Sequence, residues 1–356
     1  MPFLNPFISA HSTEAAKHAT IVEVTTEDAT GWGECSALER ATYTAEYADG
    51  AYAMLLEELV PAALAGRDSG VVGHPMAKAA LAHALLDAQL RADSTTLAAY
   101  LGVRRTSVPA GVALGLTRHL PDLLNDISAR VAEGYQRVKL KIAPGWDVEP
   151  VRVVRSAFPE LELQVDANSA YTVADIQSLA ALDAFSLQMI EQPLDADDLE
   201  GHAKLALMLD TPICLDESIV SARSCARALD MGACRVINLK PGRVGGLAEA
   251  VRIHDVCLAR GAPLWCGGML ETGVGRALNI ALAALPGFTL TGDLSASNRF
   301  FDHDITQEFA LTGGHLSVPT GPGIGVDVDI ARLRSCTVRS TVLHSGPIGS
   351  MHRSPR

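Results

Sequence analysis

Five ionisable residues recur along the chain at an almost constant spacing. They are Lys141, Asp166, Glu191, Asp216 and Lys240, separated by 25, 25, 25 and 24 residues. Each ends a short apolar run, and one strand, one helix and their loops take about that many residues in a (β/α)₈ barrel of ~250 residues. The spacing therefore predicts one functional side chain at the C-terminal end of each of five successive strands, where such barrels place their active sites.

The alternation of strand and helix patterns from residue 108 onwards predicts a complete barrel over 108–299. Amphipathic helices are expected between the strands, for example over 121–133 and 245–260. The predicted strands number eight, as closure of the barrel requires. They are 108–114, 136–142, 161–166, 186–191, 212–216, 235–240, 262–267 and 288–293.

Residues 1–107 read as a smaller α+β domain that caps the barrel. A strand is predicted over 19–26, and helices over 44–65 and 75–92, the second opening with a proline and rich in Ala and Leu. The segment from about 300 to 356 is expected to pack back on this domain and complete it, with a solvated, disordered end. The predicted fold class is α/β, a modified TIM barrel with an α+β capping domain.

The composition of the chain restricts the kinds of molecule that the protein could bind. The chain has 356 residues, 48% of them hydrophobic, and a net charge of −12 without a long basic run. This balance argues against nucleic acid or an anionic membrane as a partner. Seven cysteines, an odd number without a CxxC pair, indicate reduced thiols. With no signal-peptide pattern and no apolar stretch of membrane-spanning length, we expect a cytoplasmic protein.

The three central carboxylates, Asp166, Glu191 and Asp216, suggest a metal site. Carboxylates without His or Cys among them favour a hard cation, Mg²⁺ first and Mn²⁺ second, whereas Zn²⁺ would recruit His or Cys. The alternative is three unrelated solvated acids. Their equal spacing argues against that alternative.

Lysines stand on both sides of these carboxylates. Lys139 and Lys141 are two residues apart on one strand, so both are predicted to point into the barrel. Partial burial, the neighbouring cation and a metal would each lower a lysine pKa, so a general base near neutral pH is expected here. Lys240 would supply a second base or a fixed cation. Ion pairing alone is the alternative for all three.

Two polar residues follow the carboxylates closely. Asn168 lies two residues after Asp166 and is predicted to contact substrate or to hold a ligand carboxylate. Glu217 follows Asp216 directly, and strand alternation predicts that it points away, so it is not counted as a ligand.

Two glycine-rich stretches, 241–246 and 266–275, match neither a P-loop nor a dinucleotide fingerprint. They predict turns at strand ends, or a close approach of backbone to substrate at Gly267 and Gly268.

The motifs VKLKIAPGWDVEPVR, QVDANSAYT, IEQPL, TPICLDESIVSAR, INLKPGRVGG and WCGGMLETGVGRA carry a family resemblance. The chain resembles the enolase superfamily in its muconate-lactonizing subgroup, and within it the o-succinylbenzoate synthase / N-acylamino acid racemase family. The match runs from about 108 to 326, and Tyr43 and GWGEC at 31–35 extend it into the first domain.

By position, this resemblance implies a role for each matched residue. It implies that the Mg²⁺ ligands are Asp166, Glu191 and Asp216, and that the main acid/base is Lys141. It implies that Lys240 is the lysine on the opposite face. The residues that it implies for substrate binding are Tyr43, Gly268 and Met269.

The implied chemistry is removal of a proton α to a carboxylate, with Mg²⁺ stabilising the enediolate; a lysine base with Mg²⁺ is a known property of enolase-superfamily sites. Dehydration of 2-succinyl-6-hydroxy-2,4-cyclohexadiene-1-carboxylate would give o-succinylbenzoate, a menaquinone precursor. Racemisation of an N-acylamino acid would use Lys141 and Lys240 on opposite faces. A small carboxylate substrate and a homo-oligomer are expected.

Rival functions remain open. One is a racemase or related isomerase with a shifted substrate, and another is a catalytically silent binding protein on the same scaffold. A mandelate-racemase-like enzyme would need a His–Asp arrangement in place of Lys240. A dipeptide epimerase would carry a DxD pair near Gly267–Met269, where this chain reads CGGML.

The chain departs from the family pattern at its specificity region. Ile8 stands where relatives often have arginine, and Ala113 where close relatives have a serine that helps to hold the distal carboxylate of the substrate. Only five residues precede Pro6, which suggests a missing edge strand or a misplaced start. We expect intact proton-abstraction machinery with a preference moved towards a more apolar acyl or side-chain group.

Overall fold

The computed structural model describes residues 1–9 and 12–344. The predicted disordered end of the chain lies outside these residues. Two antiparallel strand pairs open the chain, β1 with β2 and β3 with β4. Their bounds are β1 Pro2–Ile8, β2 Thr13–Ala16, β3 Thr20–Thr25 and β4 Thr30–Cys35.

The helices of the capping region confirm the two predicted helical segments. The first is continuous from α1 through a π-helical turn, Leu55–Leu59, into α2, and the second is the long helix α3. The bounds are α1 Ala48–Met54, α2 Val60–Leu64, α3 Pro75–Ala92 and α4 Leu97–Tyr100.

Helix α3 lies directly on strand β4. A Cβ on Gly31 would lie 2.1 Å from the backbone nitrogen of Ala88, and one on Gly33 would lie 1.9 Å from the oxygen of Ala80. Only glycine permits this approach. The two glycines of the GWGEC motif are therefore packing residues.

The barrel follows. Within the described residues, seven parallel strands form one curled sheet in chain order, from β6 to β12. They are β6 Gly111–Leu114, β7 Arg137–Lys141, β8 Glu162–Asp166, β9 Ile190–Glu191, β10 Ile213–Leu215, β11 Val236–Leu239 and β12 Leu264–Cys266. The mixed α/β architecture confirms the predicted fold class.

Helices alternate with these strands and cover the outside of the sheet. They are α5 Leu120–Glu133, α6 Val148–Ala157, α7 Ile176–Ala180, α8 Leu199–Ala206, α9 Ala222–Asp230, α10 Leu247–Arg260 and α11 Gly273–Ala283, with 3₁₀ turns at Val173–Asp175, Ala181–Phe185 and Ser297–Arg299. None of the described helices is long and apolar enough to cross a bilayer.

Two predicted strands differ from the structure. The strand over 108–114 is split, because β5 (Ser107–Pro109) pairs instead with β13 (His315–Ser317), and Ala110 donates its N–H to Gly314. The strand over 288–293 is not regular. It closes the barrel through single bridges from Phe288 to Leu264 and from Gly292 to Ala110.

The C-terminal segment contacts the capping region before it ends in α12 (Ile330–Cys336). Asp87 of α3 accepts the N–H of Ile324 at 2.7 Å, and Arg91 donates to the carbonyl of Val326. The division of the chain at 107/108 and about 300 stays a prediction.

Candidate active site

The five spaced residues meet at one end of the sheet. Lys141 is paired in register with Asp166, and Asp166 with Glu191. Asp216 and Lys240 follow the last residues of β10 and β11 directly. All five are almost completely buried. The equal spacing thus corresponds to successive strand ends.

Lys141 is held within the barrel. Its Nζ donates to Asp166 Oδ2 at 2.7 Å and to Asn168 Oδ1 at 2.5 Å. The Asn168 amide in turn donates to Glu217 Oε1 at 3.0 Å, and its backbone N–H donates to Asp166 Oδ1. Asn168 therefore orients both Lys141 and Asp166.

Lys240 is held by two regions of the chain. Its Nζ donates to Asp216 Oδ2 at 2.6 Å and to the hydroxyl of Tyr43 at 2.8 Å. The Tyr43 hydroxyl donates to the same Asp216 oxygen at 2.9 Å. Arg243 lies 3.0 Å from the other Asp216 oxygen. Tyr43, which the family resemblance implies as a substrate-binding residue, is hydrogen-bonded to the second lysine, Lys240.

Lys139 lies deeper than the other lysines. Its Nζ lies 2.6 Å from Asp293, 2.9 Å from Glu191 and 3.1 Å from Asp166, and it faces the ring of Trp265 at 4.7 Å. A lysine so surrounded is a counter-charge to the carboxylates. This arrangement favours the ion-pairing alternative for Lys139 over a base.

The expected lowering of a lysine pKa is not found at Lys139, and the pKa of Lys240 is raised in the same way. Burial lowers the pKa of each, but the adjacent carboxylates outweigh burial and hold both values well above the ordinary one. Asp293 and Glu191 act on Lys139, and Asp216 acts on Lys240.

The carboxylates are unequally neutralised. Burial, reinforced by Asp166, raises the pKa of Glu191 to about 8, and burial with Asp216 raises that of Glu217 to about 7. Burial also disfavours the charged form of Asp166, yet Lys141 and Lys139 hold its pKa below the ordinary value. The positive charge near Glu191 and Glu217 is therefore too small to offset the effect of burial on their pKa values.

The chemistry of this donor set fits a hard cation, although the side chains are not gathered around one point. Among residues 1–9 and 12–344, no three His, Cys, Asp or Glu side chains lie close enough together to hold an ion. The ammonium group of Lys139 bridges Asp166 and Glu191 instead. Asp216 Oδ1 is ion-paired with Arg243 at 3.0 Å. Buried Glu217 Oε2 accepts no hydrogen bond in the same described part of the chain, so acceptor capacity remains there for a cation.

A cavity of about 110 Å³ lies against these groups. Its walls include the two predicted pocket residues, Gly268 and Met269, and the hairpin residues Phe7 and Glu14. The cavity is also lined by Leu38, Tyr43, Ala113, Lys139, Lys141, Asn168 and Lys240. Apart from the carboxylate ligands, the predicted site residues therefore border one space.

Gly267 does not line this cavity. A Cβ there would lie 2.3 Å from Asn238 Oδ1 and 2.7 Å from Lys240 Cε. The glycine is required by packing against the second lysine, and of the two glycines only Gly268 lines the cavity.

Sequence reasoning missed three charged residues at the site, and the expectation for a fourth, Glu217, was wrong. Glu217 points to Asn168 rather than away, because β10 ends at Leu215 and strand alternation no longer applies. Arg137, Asp293 and Arg243 were not singled out. Arg137 pairs with Asp293 at 2.5 Å. The pattern RxKxK carried a signal for Arg137, since residues two apart share a face.

Comparison with known proteins places this architecture in a class. Residues 122–332 match the family described as "Enolase C-terminal domain-like", and residues 1–102 match "Mandelate racemase / muconate lactonizing enzyme, N-terminal domain". The chain belongs to this enolase-superfamily group of enzymes.

Individual relatives narrow the class. The chain is 53% identical to an N-succinylamino acid racemase of an Amycolatopsis species, over 92% of each chain. It is 47% identical to the o-succinylbenzoate synthase of Geobacillus stearothermophilus, over 95% of this chain and 94% of the relative. A solved enolase-superfamily structure from Listeria innocua superposes with a TM-score of 0.89 at 42% identity, covering 94% of each chain.

Proposed function

We propose that the protein removes a proton α to a carboxylate with the help of Mg²⁺, and that it acts as an o-succinylbenzoate synthase and N-succinylamino acid racemase. The observation that carries this proposal is the meeting of Lys141 and Lys240 at one cavity, each hydrogen-bonded to a different buried carboxylate. The names of two relatives at 53% and 47% identity agree with both reactions.

Asp166, Glu191 and Asp216 would hold the cation. When bound, Mg²⁺ supplies positive charge next to the substrate carboxylate, where negative charge develops as the proton leaves. The ammonium of Lys139, which lies between Asp166 and Glu191, holds these two carboxylates in place. Mn²⁺ would serve the same oxygen ligands.

Lys141 would move the proton in the dehydration. It takes the proton from the α carbon as a neutral amine, and as an ammonium it returns a proton to the departing hydroxyl, which leaves as water. Asn168 fixes its position by accepting a hydrogen bond from Lys141 Nζ while its amide donates to Glu217. In racemisation, Lys141 and Lys240 would exchange roles, one removing the proton and the other delivering one to the opposite face.

The substrate preference would differ from that of relatives at the distal end. Ala113 lines the cavity without a hydroxyl, and the hairpin carrying Ile8 binds next to it, because the Leu116 N–H donates to Ile8 O at 2.7 Å. Glu14 lies opposite Phe7 on that hairpin and brings a carboxylate to the cavity wall. Arg276 also lines the cavity and leaves a cation near the distal carboxylate of a succinyl group. The missing hydroxyl at Ala113 and the carboxylate of Glu14 would shift the preference, relative to these relatives, towards a neutral, more apolar acyl group.

The first experiment is a dehydration assay. Purified protein with Mg²⁺ is offered 2-succinyl-6-hydroxy-2,4-cyclohexadiene-1-carboxylate, and o-succinylbenzoate is followed by its ultraviolet absorbance. Metal-dependent conversion supports the synthase. Absence of conversion by protein that binds Mg²⁺ removes the synthase activity and leaves racemisation.

A second assay tests racemisation and the distal preference together. Exchange of the α proton in D₂O is followed by NMR for N-succinyl- and N-acetyl-phenylalanine. We expect exchange of both, with the ratio shifted towards N-acetyl relative to the Amycolatopsis enzyme. An equal or lower ratio would contradict the shifted preference, and exchange of neither would contradict racemisation.

A further inference from the structure

Two buried ions of the capping region, Lys17 and Glu34, hold one wall of the cavity from behind. The wall is the segment 267–272, which follows β12 and precedes α11. Lys17 and Glu34 face each other at 3.9 Å, with side chains that are almost inaccessible to solvent. Buried charges of this kind need a role, because burial of a charge is unfavourable unless it is paired and hydrogen-bonded.

Lys17 binds the segment at its centre. Its Nζ donates to the backbone carbonyl of Met269 at 2.8 Å and to that of Ser36 at 3.4 Å. Met269 is a wall residue of the cavity. One ammonium group therefore joins the capping region to the backbone of a pocket residue.

Glu34 binds the end of the same segment. Its carboxylate accepts the hydroxyl of Thr272 at 2.6 Å, the N–H of Thr272 and the N–H of Gly275 at 3.0 Å. These donors belong to the first turn of α11, where free N–H groups favour an anion. Ser36 donates to the other carboxylate oxygen at 2.7 Å.

The segment between these two anchors has a conformation that needs support. Leu270 has a φ of 57°, in the left-handed region that side chains other than glycine rarely adopt. Such residues persist where the surrounding structure holds them. Gly268, Met269, Leu270 and Glu271 all line the cavity.

Lys17 also connects this wall to the part of the cavity wall that the β1–β2 hairpin forms. It follows strand β2 (Thr13–Ala16) directly, and its backbone N–H and carbonyl pair with Met1 beside the start of β1. Strands β1 and β2 bring Phe7 and Glu14 to the cavity. The Lys17 side chain thus fixes the spacing between the β1–β2 hairpin and the segment 267–272, which we call the Met269 wall.

We propose that Lys17 and Glu34 are positioning residues for substrate recognition. They set the position of the Met269 wall relative to the β1–β2 hairpin, and so determine how tightly the acyl group of the substrate binds. Neither touches the lysines or the carboxylates of the acid–base machinery. This inference deepens the proposed function and rests on it for the identity of the substrate.

The test uses the full-length protein and three variants. Lys17→Met alone would leave Glu34 as an unpaired buried charge, so the main variant is the double substitution Lys17→Met/Glu34→Gln, which removes both charges. Lys17→Arg keeps the cation and its donors. Lys78→Met is the matched control, since Lys78 donates to the carbonyl of Val71 within the capping region and lines no part of the cavity.

Kinetics of α-proton exchange with N-acetyl-phenylalanine give the first readout. We expect the double variant to raise KM about ten-fold with kcat within about three-fold, since loss of binding that is shared by the ground state and the transition state raises KM without lowering kcat. Lys17→Arg should recover most of the affinity, and Lys78→Met should match the unmodified protein. An unchanged KM in the folded double variant, or the same change in Lys78→Met, would overturn the proposal.

Amide hydrogen exchange gives a second readout that needs no activity. The double variant should exchange the amides of 267–275 at least about ten-fold faster, while Lys78→Met should not. If unmodified protein exchanges no α proton of any substrate, the proposed function fails while this measurement still decides whether Lys17 and Glu34 hold the wall. Unchanged protection of 267–275 would overturn the inference by itself.

Discussion

Lys141 and Lys240 border the same cavity, yet they are held by different parts of the molecule. Lys141 donates its hydrogen bonds to two residues of the barrel, Asp166 and Asn168. Lys240 is held by Asp216 from the barrel and by Tyr43 from the capping region. One half of the site is therefore complete within the barrel, and the other half depends on the contact between two regions of the chain.

The largest effect is expected from removing either lysine. Lys141→Ala should reduce dehydration by at least about 1,000-fold, since a positioned acid/base contributes up to that order or more. Lys240→Ala should abolish racemisation while α-proton exchange persists for one enantiomer, because the other face keeps its base. The two variants are compared by NMR in D₂O with each enantiomer separately. Retained dehydration in folded Lys141→Ala would remove it as the base.

Removing a central carboxylate should affect both halves of the site. Glu191 lies between Asp166 and Asp216 in the strand order, so Glu191→Gln should weaken Mg²⁺ binding by about 100-fold or more, beyond the loss typical of residues that only support a ligand. The measurement is calorimetric titration with MgCl₂. Asn238 donates to Glu191 at 2.6 Å, and Asn238→Ala is a control for indirect effects. Affinity unchanged in Glu191→Gln would remove this residue from the ligand set.

The third test removes the hydrogen bonds of one side chain from each half of the site. Tyr43→Phe removes the hydroxyl shared by Lys240 and Asp216, and Asn168→Ala removes the amide that holds Lys141. Each should slow exchange about ten-fold, the loss of one charge-assisted hydrogen bond, but for opposite enantiomers. Equal slowing of both enantiomers by Tyr43→Phe would contradict the separation of the two halves.

The smallest expected effect is a pH dependence of stability that arises at the contact between the capping region and the barrel. His83 of α3 is buried and accepts the N–H of Leu247, at the start of α10, at 3.0 Å. Burial lowers its pKa to about 4. The unfolded chain binds a proton near the ordinary histidine pKa of about 6.5, so stability is complete above that pH and falls as the pH drops towards 4.

Between pH 7.5 and 5 this one group should lower the free energy of unfolding by about 2 kcal/mol. The measurement is urea denaturation at both pH values for the unmodified protein and for His83→Gln, whose side chain can still accept the N–H. The difference between the two pH values should shrink by about that amount in the variant. An undiminished difference would assign the pH dependence to other groups.

Sequence patterns predicted the parts of the molecule that depend on regular local structure. Helix α3 has its predicted bounds, because Pro75 suits a first turn and the Ala-rich run that follows has high helix propensity. The five spaced residues reach one sheet edge because each closes a strand. The family assignment was confirmed by relatives at 41–53% identity.

Features that depend on departures from regular structure could not be predicted. Asp293 ends an irregular segment that closes the barrel by single bridges, and only the fold brings it to Lys139 and Arg137. Glu217 turns inward because its strand has already ended. The raised pKa of Lys139 follows from three carboxylates whose convergence no spacing reveals.

The packing of Gly267 limits how this enzyme could be redesigned. Any side chain at position 267 would collide with Lys240, and one at 268 would press on the carbonyl of Asp293 at 3.0 Å, so these two positions cannot take a larger residue without disturbing Lys240 or the backbone at Asp293. Ala113 borders the same cavity from β6, outside that crowded segment. Directed evolution towards new substrates should therefore accumulate substitutions at β6 and the hairpin, which carry Ala113 and Ile8, the two positions where the sequence suggests a shifted preference.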